Sequence, residues 1–143
     1  MKYRKNLSTL KQIIGFILVT SITMMSLKAE ISPDEYEKMR DASPEKLTLI
    51  ITKVNKGWCL VCTSRDVEVE ALVESVEASA TGLKPKQTIK IEYTYKQIPI
   101  EINGPRGLPM LKENRVYTAF LKKRPNEDIY EPAARGAGFE DLL

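Results

Sequence analysis

The sequence predicts a mainly β domain, closed into a small barrel and preceded by one short helix. Three observations carry this reading. After Lys46, β-branched and aromatic residues recur with a period of two. Clusters of Gly, Pro and Asn cut that pattern into short runs. A single flat sheet this small would leave unprotected edges and little core, and closure removes both problems.

The chain begins MKYRKNLSTLKQ, with Lys2, Arg4, Lys5 and Lys11 and no acid, and continues into an apolar run from Ile13 to Leu27. Lys28-Ala29 then precedes Glu30. A basic start, a short apolar middle and a small final residue define a secretory signal peptide over 1–29. The run is shorter than the about 20 apolar residues of a membrane span, so membrane contact is expected only if the segment stays uncleaved. Of 22 basic residues, five lie in 1–29, which leaves 17 against 19 acids and turns a net +3 into −2. No basic footprint for nucleic acid survives in the mature part. The expected location is secreted or periplasmic.

Residues 30–46 form the helical entry and 47–143 the barrel domain. In SPDE, 32–35, Ser32 caps, Pro33 suits the first helical position and Glu35 completes a capping box. Tyr36 and Met39 share a face, and Pro44 ends the helix by Ala42. The helix is expected to lie as a lid over one barrel end, with partner docking as its other reading. LTLIITKV, 47–54, is the first strand, and NKG, 55–57, a turn. In 67–79, Val67, Val69, Ala71 and Val73 alternate with Glu68, Glu70 and Glu74, after which Val76 and Ala78 take the inward register. A parity slip inside one strand predicts a β-bulge. The acids then read as the solvated side of a half-buried sheet.

TGLKPKQ, 81–87, is a loop, and 88–98 is a strand with Ile89, Ile91, Tyr93 and Tyr95 on one face. The tyrosines, with Tyr117, read as core or as a stacking stripe. Residues 99–110 hold three prolines and two glycines and predict a long crossing loop. Within it Pro105, Arg106, Gly107 and Leu108 are the candidate binding loop. Residues 115–124 make the next strand, ending in the solvated KKR run, and PNED turns the chain. Pro132 places the last strand at an edge or interrupts it. The sum is a five-stranded Greek-key barrel of the OB type, with a small open sandwich as the second reading.

The run ALVESVEASATGLKPKQTIKIEY, with Gly104-Pro105, VYTAFL at 116–121, YEPAA at 130–134 and Gly138-Phe139, resembles a group of small secreted bacterial proteins. Their layout is similar to the OB-like barrel of the netrin and tissue metalloprotease-inhibitor modules. The resemblance implies a fold and carries no catalytic residue. Those inhibitors chelate the protease zinc through a Cys at the mature N-terminus. Here the mature chain starts at Glu30 with no Cys beside it, so that mode is not carried over.

GWCLVC, 57–62, holds both cysteines of the chain, while histidine is absent. The absence removes Ser-His-Asp and Cys-His catalysis, His-containing zinc sites and c-type haem attachment. Cys59 and Cys62 are read first as a disulfide, since export oxidises thiols and the count is even. In an extended strand their Cα atoms would lie about 10 Å apart, against the about 7 Å a disulfide allows, so the pairing requires a turn at Leu60-Val61. The alternative is a thiol–disulfide oxidoreductase with Cys59 as nucleophile and Cys62 as resolving thiol, which needs a helix starting there. Two thiolates alone make a weak metal site, and no cofactor is expected. The functional expectation is a non-enzymatic binding or structural module that contacts another envelope or extracellular protein through its loops.

Overall fold

Alternation in the sequence becomes alternation across a barrel wall. The protein is described from a computed structural model covering residues 31–58, 62–96 and 107–142. The expected signal peptide, Cys59, Pro105 and Arg106 lie outside the described residues.

Helix α1 spans Pro33–Asp41. Ser32 caps it, its side chain accepting from the Glu35 N–H at 3.4 Å. Asp34 and Glu35 meet the positive end of the helix dipole, and Lys38 and Arg40 the negative end. The Ser43 hydroxyl donates to the Met39 carbonyl at 2.8 Å and draws the exit tight. Strands β1 (Glu45–Lys56), β2 (Ser64–Ser79), β3 (Thr88–Lys96), β4 (Val116–Lys123), β5 (Ile129–Pro132) and β6 (Phe139–Asp141) follow. The hydrogen-bonded order is β1-β2-β3-β5-β4, and β1 also pairs with β4, which closes a five-stranded OB-type barrel. The β3–β5 pair is parallel, while β1–β2, β2–β3, β1–β4 and β4–β5 are antiparallel.

Inward residues fill the barrel: Leu47, Leu49 and Ile51 from β1, Val67, Val69, Ala71 and Val73 from β2, and Ile89, Ile91 and Tyr93 from β3. Tyr117, Ala119 and Leu121 of β4 and Tyr130 of β5 complete it. The expected bulge is present. Thr48 pairs with Ser75 and Leu49 with Val73, so Glu74 is the extra residue. A second shift skips Glu77, which leaves Ala78 exposed rather than inward. A third, on β1, skips Thr52. Each shift bends the strand and adds twist, which lets β1 and β2 wrap the barrel.

Two further expectations need correction. Asn55 and Lys56 are strand rather than turn, because Glu68 and Val67 extend the ladder opposite them. The helix is not a lid over a barrel end. Tyr36 and Met39 pack with Phe120, Ala134 and Ala137, and Phe120 has the opposite parity to the core residues of β4, so α1 lies against the barrel's outer side. Arg40 fixes it there: its guanidinium lies 5.2 Å from the Phe120 ring centroid, and Nε donates to the Ala137 carbonyl at 3.3 Å.

The last strand is interrupted, as Pro132 suggested. β5 pairs with Leu121–Lys123 and β6 with Tyr117–Ala119, along the same edge of β4. Between them 133–138 loops outward through a 3-10 turn, Arg135–Ala137. Phe120 holds both ends of the excursion, accepting from the Ala133 N–H and donating to the Gly138 carbonyl, each at 2.9 Å. A Cβ on Gly138 would stand 2.8 Å from Pro132 Cβ, so the return tolerates only glycine.

Glu45 is fully buried at the start of β1. Its carboxyl group accepts from the Ser79 hydroxyl and from the Thr81 N–H, the latter at 3.0 Å. Ser79 Oγ in turn accepts from the Leu83 N–H at 2.9 Å, and the Thr81 and Tyr130 hydroxyls share a hydrogen bond of 3.0 Å. One side chain thus organises the β2–β3 loop. Glu45→Ala strands these donors and is expected to cost about 3 kcal/mol in urea unfolding, while Glu45→Gln, which keeps one accepting oxygen, loses about half of that.

Candidate functional site

β1, β2 and β3 are longer than the strands that close the barrel. The last β1–β4 pair is Ile50–Val116, and Ile51 still exchanges backbone bonds with Asn114 and Arg115. Beyond that point the free edge of β1 meets only a side chain among the described residues, the Val54 N–H donating to Glu113 Oε1 at 2.9 Å. The ladder to β2 continues through Lys56–Val67 and then Gly57, whose N–H donates to the Asp66 carbonyl at 3.0 Å. The β2–β3 ladder reaches Ser64–Lys96. A three-stranded tongue therefore projects past the barrel rim, and Gly57, Trp58 and Cys62 stand at its end.

This placement bears on both readings of the cysteines. β1 and β2 run antiparallel on either side of residues 59–61, so Cys62 begins the return strand's approach while Cys59 lies outside the described residues. Residues 64–79 are β2, not the helix whose N-terminus would lower the pKa of a nucleophilic thiol. Cys62 is exposed, and Trp58 is 88% exposed, the largest apolar group so displayed among the described residues. The sequence singled out Trp58 for its place before Cys59. Its exposure follows from a position beyond the rim, where no facing strand remains to cover it.

Gly107 is exposed, while Leu108 is half-buried against the main core. The described part of the candidate loop is therefore its anchored return. Tyr93 builds that anchor. Its hydroxyl donates to the Pro109 carbonyl at 3.0 Å and accepts from the Leu111 N–H at 3.2 Å. The Tyr117 hydroxyl likewise accepts from the Lys112 N–H at 3.3 Å. Leu111 is fully buried, a core residue the sequence did not reveal because it lies in a Pro-rich loop with no periodicity around it. Tyr93 and Tyr117 are core residues with polar tips, and Tyr95 is half-buried at the rim.

The outer face of the tongue holds Asp66, Glu68 and Glu70, with Lys53 3.9 Å from Glu70. A cleft of about 690 Å³ opens there beside Glu92, Thr94, Arg124 and Glu131. Its charge is largely answered from within. Arg124 reaches Glu92 at 2.7 Å and Glu131 at 3.2 Å, tying β3 to β5 across the parallel seam. Lys122, 3.0 Å from Glu131, holds that carboxyl below its ordinary range. Lys123 pairs with Asp128 at 2.8 Å, and both lysines of the KKR run are exposed, so the run is a solvated end whose charges are also paired.

Comparison with protein-family models, with curated proteins and with solved structures finds no match for the chain.

Burial pushes the Tyr93 hydroxyl up from 10.0 to about 12, against the lowering effect of the Leu111 N–H. A raised folded-state pKa favours the protonated form in the native protein. Its contribution is present below pH 10 and is lost as pH rises toward 12. Tyr93→Phe is expected to cost about 1–2 kcal/mol at neutral pH by leaving the Leu111 N–H unpaired. It should also flatten the alkaline fall in stability, as read by urea unfolding between pH 9 and pH 12.

Proposed function

We propose that the protein is an exported, non-enzymatic binding module that contacts another envelope or extracellular protein through the projecting hairpin. The exposure of Trp58 at the hairpin tip carries this reading. A large aromatic left in water, on a rigid ladder and away from the core, is the kind of anchor that interfaces bury. Export rests on the basic and apolar character of 1–29, and the barrel layout supports the resemblance to netrin-type and tissue metalloprotease-inhibitor modules. In this reading Cys59 and Cys62 form a disulfide that stiffens the hairpin tip. The loop it closes is small, so it fixes Trp58 locally more than it holds the domain together. The candidate loop of Pro105, Arg106, Gly107 and Leu108 follows β3, the third strand of the tongue, in sequence. It is assigned as an accessory contact.

A photo-crosslinking residue placed at position 58 and expressed in the native envelope is the direct test. A discrete protein adduct from position 58, and none from Lys84 in the loop at the opposite barrel end, is the expected result. Equal or diffuse labelling from both positions overturns the reading. The disulfide is checked by equilibration against dithiothreitol. A structural staple should show a reduction potential below about −300 mV, while a value between about −120 and −270 mV would instead mark an oxidoreductase centred on Cys59.

A further inference from the structure

The inner face of the tongue differs in charge from its outer face. Alternation places Asp66, Glu68 and Glu70 outward on β2, with Glu92 outward on β3. Val54 and Lys56 of β1, Arg65 and Val67 of β2, and Tyr93 and Tyr95 of β3 take the inward parity. Arg65 pairs with Tyr95. The Gly57–Asp66 bond carries the β1–β2 pairing one step beyond Lys56–Val67, and Trp58 follows directly. Arg65 and Tyr95 therefore form one row, with Lys56 in the row behind and Trp58 two residues beyond Lys56.

Arg65 has a second peculiarity. It is partly buried, and its Nε is a buried donor with no hydrogen-bond partner among the described residues. A buried guanidinium donor is costly to leave unmade, and most such groups find an acceptor. The acids of β2 and β3 face the other way, and Glu113 is engaged by the Val54 N–H. This face thus offers the positive charges of Arg65 and Lys56 beside Tyr95 and Trp58, with no ion pair to either cation among the described residues.

We propose that this row binds a carboxylate-bearing extended segment of the partner protein. A Glu or Asp side chain of that segment pairs with the guanidinium of Arg65, a residue that is only partly buried, in a charge-assisted contact. Lys56 adds a second positive charge, and Trp58 and Tyr95 cover the apolar residues two positions away, as the period of a strand requires. The inference rests on the docking function of the hairpin and adds the chemistry of what docks.

Trp58 is the sole tryptophan of the chain, so its fluorescence reports this site alone. The experiment titrates the mature protein with a blocked octapeptide of alternating Glu and Val, with its Lys-Val counterpart, and with inorganic phosphate. A saturable shift of Trp58 emission with the Glu-Val peptide only is expected. Arg65→Gln should weaken that binding about tenfold or more, and Glu68→Gln on the outer face should leave it unchanged. Equal response to both peptides, an equal response to phosphate, no response at all, or full binding by a folded Arg65→Gln would each overturn the proposal. Should Arg65→Gln not fold, the two peptides against the unaltered protein still decide. If crosslinking from position 58 succeeds while the Glu-Val peptide fails, this inference falls and the docking reading stands.

Discussion

β1 is hydrogen-bonded along both edges, to β2 on one side and to β4 on the other, and the rest of the architecture depends on that double pairing. The β1–β4 ladder joins the first strand to one that follows it by more than half the domain, and it turns a sheet into a barrel. Without it, Leu47, Leu49 and Ile51 would have no opposite wall. The pairing is possible because β1 and β2 do not run flat. The shifts at Thr52, Glu74 and Glu77 each add a residue to one strand and deepen the coil. Glu45 sits at the base of this ladder, and its buried carboxyl group couples barrel closure to the shape of the β2–β3 loop.

The tongue is a by-product of the same geometry. β1 and β2 are longer than β4, so their surplus length extends past the rim. Inside the barrel, inward residues meet an opposite wall and are apolar. Past the rim the same parity continues with no facing strand among the described residues, and the residue types change from Val67 and Tyr93 to Arg65 and Lys56, with Trp58 just beyond. A strand that changes composition where its cover ends has been shaped for something other than the core, which is why the candidate site lies there.

Much of the fold was legible in the sequence. Strict alternation in β2 and β3 set the inward residues, and the slip after Val73 located the bulge. Ser32, Pro33 and Pro44 bracketed the helix, and Pro132 announced the break between β5 and β6. Leu111 was illegible, because a single apolar residue in a Pro-rich loop has no neighbours to establish a period. Glu45 could have been found by extending the parity of Leu47, Leu49 and Ile51 back by one step, although charge argues against burial unless partners are known. The helix position was missed because Phe120 reads as one apolar residue on the wrong face of β4. Only the fold brings it to Tyr36 and Met39. At the site, Trp58 and the cysteines were visible as a motif, but the register that pairs Arg65 with Tyr95 near Trp58 exists only in the folded sheet.

The docking of α1 has a consequence for how the chain reaches its final state. The helix opens the described domain, yet its seat is made by Phe120, Ala134 and Ala137, near the other end. Arg40 donates to a carbonyl 97 positions away. The first element therefore has nowhere to rest until almost the last has been delivered. Ribosomal synthesis or passage through a membrane pore hands over the N-terminus first, and during that interval α1 and the β4 edge of β1 wait unpartnered. Folding of this domain is completed only after the whole chain is available, at the slow end expected for barrels held by distant pairings.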